Sequence, residues 1–187
     1  MDENTDQALT VTRNWVAEFV IRHNLCPFAA SPFNNDRIRF LSIDVTDSTE
    51  LVDRLIEEIL FLMHADPGKT ETSIVVTPHL FAEFSDYNQF LDIVDTIIME
   101  LQVDGIIQVA SFHPQYQFAD LEQDDVRNYT NRSPFPMFHL IREDSIEKAR
   151  HTMDVESIPD RNMELLLQLG LEEVLKQQSQ IIAKRTP

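Results

Sequence analysis

Apolar residues recur at helical spacing in the first hundred positions. Val11, Trp15 and Phe19 fall four apart, with Val16 and Val20 beside them, which predicts a first helix over residues 5–23. Asn24 and Pro27 stop it. Leu51, Leu55 and Ile59, flanked by Val52, Ile56 and Leu60, make a second helix. Asp47 can cap it, with Glu50 at its third position. Phe90, Val94, Ile97, Ile98 and Leu101 define a third over 86–102, ended by a turn at Gly105. A short helix at 145–152 and a last one over 160–184, broken near Gly170, follow.

Between these lie runs of strand character at 37–45, 73–77, 106–112 and 137–142. The first slips its alternation at Phe40-Leu41, which suggests a bulge or apolar cover on both faces. The order α-β-α-β-α-β, long loop, β-α-α predicts a single α/β domain over 1–187. The expected sheet is small and mixed, mostly parallel, of about four strands, with flanking helices and a long ordered loop before the last strand. Right-handed crossovers should relate the first three strands, with the fourth returning antiparallel at an edge. Ligands in such sheets sit at the carboxyl ends of the parallel strands. His79 and His113 fall on such ends.

Composition narrows the function classes. The net charge of −17 repels nucleic acid phosphates and anionic membranes, so neither is expected as a partner. The apolar runs are too short to span a bilayer. The acidic start and the single cysteine point to the cytoplasm, with no intrachain disulfide. Only Gly68, Gly105 and Gly170 are glycines, which excludes Gly-rich dinucleotide loops. Pro67-Gly68-Lys69-Thr70 ends like a phosphate loop but lies between helix and strand, the reverse of the required context, and reads as a turn. No cofactor is assigned.

The chemistry-bearing residues concentrate in residues 111–143. This segment is dense in His, Tyr, Asn and Arg, and a loop of that length is usually functional when ordered. His113 sits between a strand end and Pro114, where a rigid strand could aim a general acid or base; it could equally shape the loop by bonding to backbone. Asn128, Asn131 and Arg132 form the polar centre of a ligand pocket on this reading, with Tyr116 among the aromatic residues that could wall it and Arg132, Arg142 and Arg161 as forks for carboxylate or phosphate. Asn side chains also hold turns, which is the structural alternative. Cys26 follows a helix carboxyl end, where the dipole disfavours thiolate; a buried small hydrophobe is the competing role. Cys26, His79, His113, His139, Asp124 and Asp125 are ligand types that would suit zinc, but no pair has a zinc spacing and no metal is assigned. His139 lies mid-strand on an apolar face, where a core histidine is the usual finding.

Several strings resemble an uncharacterised bacterial family, a domain of unknown function. They are Leu25-Cys26-Pro27-Phe28-Ala29, the run 110–118 (Ala-Ser-Phe-His-Pro-Gln-Tyr-Gln-Phe) and the run 128–136 (Asn-Tyr-Thr-Asn-Arg-Ser-Pro-Phe-Pro). His139-Leu140-Ile141-Arg142-Glu143 and Ile158-Pro159-Asp160-Arg161-Asn162 continue the match. The resemblance implies a bacterial cytoplasmic protein and carries over no reaction, cofactor or site residue. Two functions stand against each other. One is an enzyme or binder of a small anionic metabolite, with His113 as acid/base and arginines on the anion. The other is a non-enzymatic interaction or scaffold protein whose His/Asn/Arg loop is structural.

Overall fold

The computed structural model describes residues 3–151 and 154–184, with side chains from residue 5 onward. The first helical stripe forms α1 (Glu3–Trp15) and runs on without a break into a π-helical segment, Val16–Ile21. A short helix, α2 (Ala30–Asn34), occupies the proline-punctuated turn that follows. Then come β1 (Ile38–Ser42), α3 (Ser48–His64), β2 (Thr72–Val76), α4 (Phe84–Glu100) and β3 (Ile107–Phe112). The long loop carries a 3₁₀ segment, Val126–Thr130, before β4 (Met137–Arg142). The chain ends in α5 (Glu143–Arg150), α6 (Ile158–Leu169) and α7 (Leu171–Ala183). The expected end of the short helix at Thr152 lies outside the described residues. Gly170, at φ 77°, breaks α6 from α7 where the sequence places the break.

The strand order is β1-β2-β4-β3. β1 and β2 pair in parallel, and β4 runs antiparallel to both β2 and β3, so three of the four strands share one direction. The antiparallel return of β4 is as expected, but its place is the centre of the sheet rather than the edge. Its run Met-Phe-His-Leu-Ile is the near-continuous apolar pattern of a strand covered on both faces.

Each face has its own core. Leu51, Leu55, Ile59 and Leu62 of α3, with Tyr87, Phe90, Val94 and Ile97 of α4, cover Val75, Phe138, Leu140 and Ile107. Inside this layer Glu58 is buried. It accepts from Arg39 Nε at 2.9 and 3.1 Å and from Ser73 Oγ at 2.7 Å, so its charge is fully occupied. On the other face Trp15, Val16 and Phe19, with Leu166, Val174 and Ile181 of the last two helices, pack on Ile38, Ile74, Val76 and Met137. The slip at Phe40-Leu41 reflects this double cover: Phe40 joins the second core and Leu41 the first.

α3 and α4 lie on the same face, and both crossovers lead in the same direction across the sheet. Strand order never reverses, so no crevice of the switch-point kind opens at the carboxyl ends. Among the described residues no helix is long and apolar enough to cross a membrane.

Candidate functional site

The long loop is tied down by its own polar side chains. His113 is 1 % exposed. The backbone N–H of Gln115 donates to its Nδ1 at 3.0 Å, which places the ring proton on Nε2, and Nε2 donates to Phe81 O at 2.8 Å. Burial lowers its pKa below the ordinary imidazole value, with the Phe81 carbonyl and Glu83 pulling the other way. Both ring nitrogens are therefore taken by backbone, and the ring itself lies against Phe84 and Tyr87.

The neighbouring candidates behave alike. Asn128 is fully buried; its Oδ1 accepts from Phe118 N at 3.1 Å and its Nδ2 donates to Glu122 O at 2.8 Å. Asn131 Nδ2 donates to Ser111 O at 3.0 Å. Arg132 donates from Nε to Tyr116 O at 3.0 Å and from a terminal nitrogen to Gln123 O, with its guanidinium over the Tyr129 ring. The Tyr116 ring packs between Phe84 and Phe118. Asp125 caps the 3₁₀ segment by accepting from Arg127 N. Arg142 and Arg161 lie elsewhere. Arg142 donates to Ala65 O and Thr70 O, its Nε has no partner among the described residues, and burial lowers its pKa. Arg161 donates to Asn24 O and to Asn162 Oδ1. These arginines face three separate stretches of backbone and do not converge on one opening.

The open space is on the sheet face that carries the second core. Register places Thr72, Ile141 and Gln108 in one row across that face, and Ile74, His139 and Ala110 in the next. Trp15 and Tyr129 share the buried core of that face with Val76 and Met137. Toward the Thr72 end the cover thins, and a cavity of about 550 Å³ opens between the sheet, the π-helical segment, the turn at Cys26 and the start of α6. Its walls are mainly apolar: Val20, Leu25, Phe28, Ile158 and Met163 face Ile74, Ala110 and Phe112. The π-helical segment contributes directly. Its Val16 and Val20 both line the cavity, and π-helical turns recur at functional sites.

His139 is the one titratable group among the sheet residues in those two rows of the cavity floor. Thr72 Oγ1 donates to Leu140 O, a carbonyl that can only accept. The hydroxyl has one proton, so its 2.7 Å contact with His139 Nε2 must be the ring donating to it. The proton therefore sits on Nε2, and Nδ1 keeps a lone pair. Among the described residues no side chain or backbone N–H reaches that lone pair. Burial holds the pKa down to about 4, so the ring is neutral through the physiological range. Trp15, at the cavity wall, is 3 % exposed, and its indole N–H has no acceptor among the described residues.

Two further candidates divide between the regions. Cys26 lines the cavity; burial pushes its thiol pKa up, against N–H groups of Phe28 and Ala29 that pull it down. His79 stands at the carboxyl edge of the sheet, 3.4 Å from Asp44, and meets none of the others. Among the described residues no three His, Cys, Asp or Glu side chains come close enough to hold a metal ion. Thr72, Ala110 and Trp15 are cavity residues that sequence reasoning passed over. One signal was available: Thr72, Gln108, Ala110 and His139 put small or polar side chains on a face that is otherwise apolar.

A family model described as a protein of unknown function (DUF1415) matches residues 7–176, so the chain belongs to that family. The match contains all five strings that carry the resemblance. Nothing matches among the curated proteins or among the solved structures.

Proposed function

We propose that this member of the DUF1415 family binds a small, largely apolar molecule in the cavity on the sheet face, and that its long loop is a brace. The cavity carries the reading. A volume of about 550 Å³ walled mainly by apolar side chains is the size and character of a ligand site. Apolar wall left to water forgoes roughly 25 cal/mol per Å² of burial, which an apolar ligand would recover. The opposite face of the same sheet is closed by α3 and α4, so the opening is specific to one side.

The reading of an anionic metabolite held at His113 and Arg132 has less behind it, because those side chains are spent on backbone carbonyls and N–H groups. The same bonds support the alternative in which the loop is structural. Residence in the cytoplasm belongs to this proposal as well, on the strength of the single cysteine.

Titration with N-phenyl-1-naphthylamine, a neutral dye that brightens in apolar surroundings, tests the site. Wild-type protein should bind it saturably at micromolar concentration. Ala110→Phe, which fills the floor beside His139, should abolish the signal, and Gln108→Trp, nearer the open end, should weaken it. Melting curves identify a variant that has failed to fold. Dye binding that is absent in the wild type, or equal in all three proteins, overturns the assignment.

A further inference from the structure

We infer that the cavity's ligand carries a neutral hydrogen-bond donor, a hydroxyl or amide N–H on an apolar body, and that it gives this donor to Nδ1 of His139. The inference rests on the cavity reading and specifies its chemistry.

The Thr72 hydroxyl spends its only proton on Leu140 O, which obliges His139 to donate from Nε2. The tautomer is fixed from behind, by the sheet itself. What the ring can offer to the cavity is an acceptor. His139 sits in the row between Ile74 and Ala110, with Met137 and Ile141 two positions away along the same strand, so its surroundings on the floor are apolar. A ligand that fills this space expels the water that could satisfy Nδ1. A ligand without a donor then leaves a buried acceptor unpaired, and one with a donor does not.

Charge argues against an ionised head at His139. Among the described residues the charged side chains on the cavity wall are Glu71 and Arg150. Each has a partner: Glu71 is 2.6 Å from Arg37, and Arg150 is 3.4 Å from Glu147. Among the described residues no unpaired cation on the wall waits for an anionic head, a lone pair repels one, and the chain's net charge of −17 adds to the repulsion. An ammonium head would have to leave water for an apolar wall without an opposing charge, which is costly. A neutral donor meets neither obstacle.

Three naphthalenes of nearly equal bulk separate these cases by calorimetry at pH 7: 1-naphthol, 1-methoxynaphthalene and 1-naphthoate. The naphthol should bind wild-type protein roughly five- to tenfold more tightly than the ether, the worth of one hydrogen bond. In His139→Phe the ether should still bind and the preference for naphthol should vanish. In Thr72→Val the ring is free to present either nitrogen protonated, and the preference should narrow with ether affinity rising. Equal binding of naphthol and ether by the wild type, or a preference that survives in His139→Phe, overturns the inference and leaves the cavity reading standing. Tighter binding of the naphthoate than of both overturns it in favour of a charged head. Failure of all three to bind overturns the cavity reading together with this inference.

Discussion

His113 holds Phe81. Its Nε2 lies 2.8 Å from the Phe81 carbonyl oxygen, and Phe81 is a bulky residue at φ 59°, in the left-handed region. Such a conformation costs on the order of 1–3 kcal/mol and persists only where the surroundings impose it. Here the histidine clamps the carbonyl while the Phe81 ring is packed against Tyr87, Phe90 and Phe138. The loop after β2 and the loop after β3 are thereby joined through one imidazole.

Replacing His113 by Ala should therefore destabilise the protein. Phe81 O and Gln115 N, in bonds that are part-buried, both lose their partner; an unpaired group costs about 1–3 kcal/mol when buried, and less where water reaches it. A loss near 3 kcal/mol corresponds to a drop in Tm of roughly 6–12 °C for a chain of this length. Denaturant melts should show a lower midpoint at unchanged slope. A change under about 0.5 kcal/mol would mean that the ring does not brace the fold, and would restore the case for a pocket acid/base.

The contrast between His113 and His139 explains how far the sequence could be read. Helical stripes and strand runs depend on local spacing, so α4 and β4 were found close to their true bounds and α3 from its cap at Asp47. The central place of β4 depends on pairing between distant segments, and the only local trace was its unbroken apolar run. The polar loop was visible as a segment but not as a brace, because composition cannot tell a side chain that bonds backbone from one that awaits a ligand. His139 shows the converse. Its apolar neighbours in sequence make it look like a satisfied core residue, and the open space above it is bounded by the start of α6 and, from far back in the chain, by the Cys26 turn and a π-helical turn that leaves no simple spacing signal.

Asn128 and Arg132 test the brace from its other side. Asn128→Ala removes the acceptor for Phe118 N and the donor to Glu122 O, both supplied by a fully buried side chain. The expected cost is about 2–4 kcal/mol, with limited proteolysis appearing first within residues 114–125. Arg132→Ala should also lower the melting temperature. It should leave any stabilisation by phosphate or sulfate unchanged, since mass action on a site elsewhere, or general screening, does not involve this side chain. An anion-dependent shift that disappears in Arg132→Ala would reinstate the anion site.

The pH dependence of stability bears on His139. Its folded-state pKa of about 4 lies below the ordinary imidazole value of 6.5, so the unfolded chain binds the proton more readily than the native one. Stability tied to the neutral ring is thus fully present above pH 6.5 and is lost as pH falls toward 4. Between pH 7.5 and 5.0 this linkage amounts to roughly 2 kcal/mol at most, and to less where water in the cavity solvates the charged ring. Burial of His113 works in the same direction, so the wild type alone does not isolate His139. The comparison that does is wild type against His139→Phe, melted in denaturant at both pH values. The variant should lose about 1–2 kcal/mol less than the wild type on acidification, because it has no ring to protonate in the unfolded state. Equal losses would show that His139 accepts a proton in the folded protein as easily as in the unfolded chain, and that the cavity floor is far wetter than its apolar walls imply.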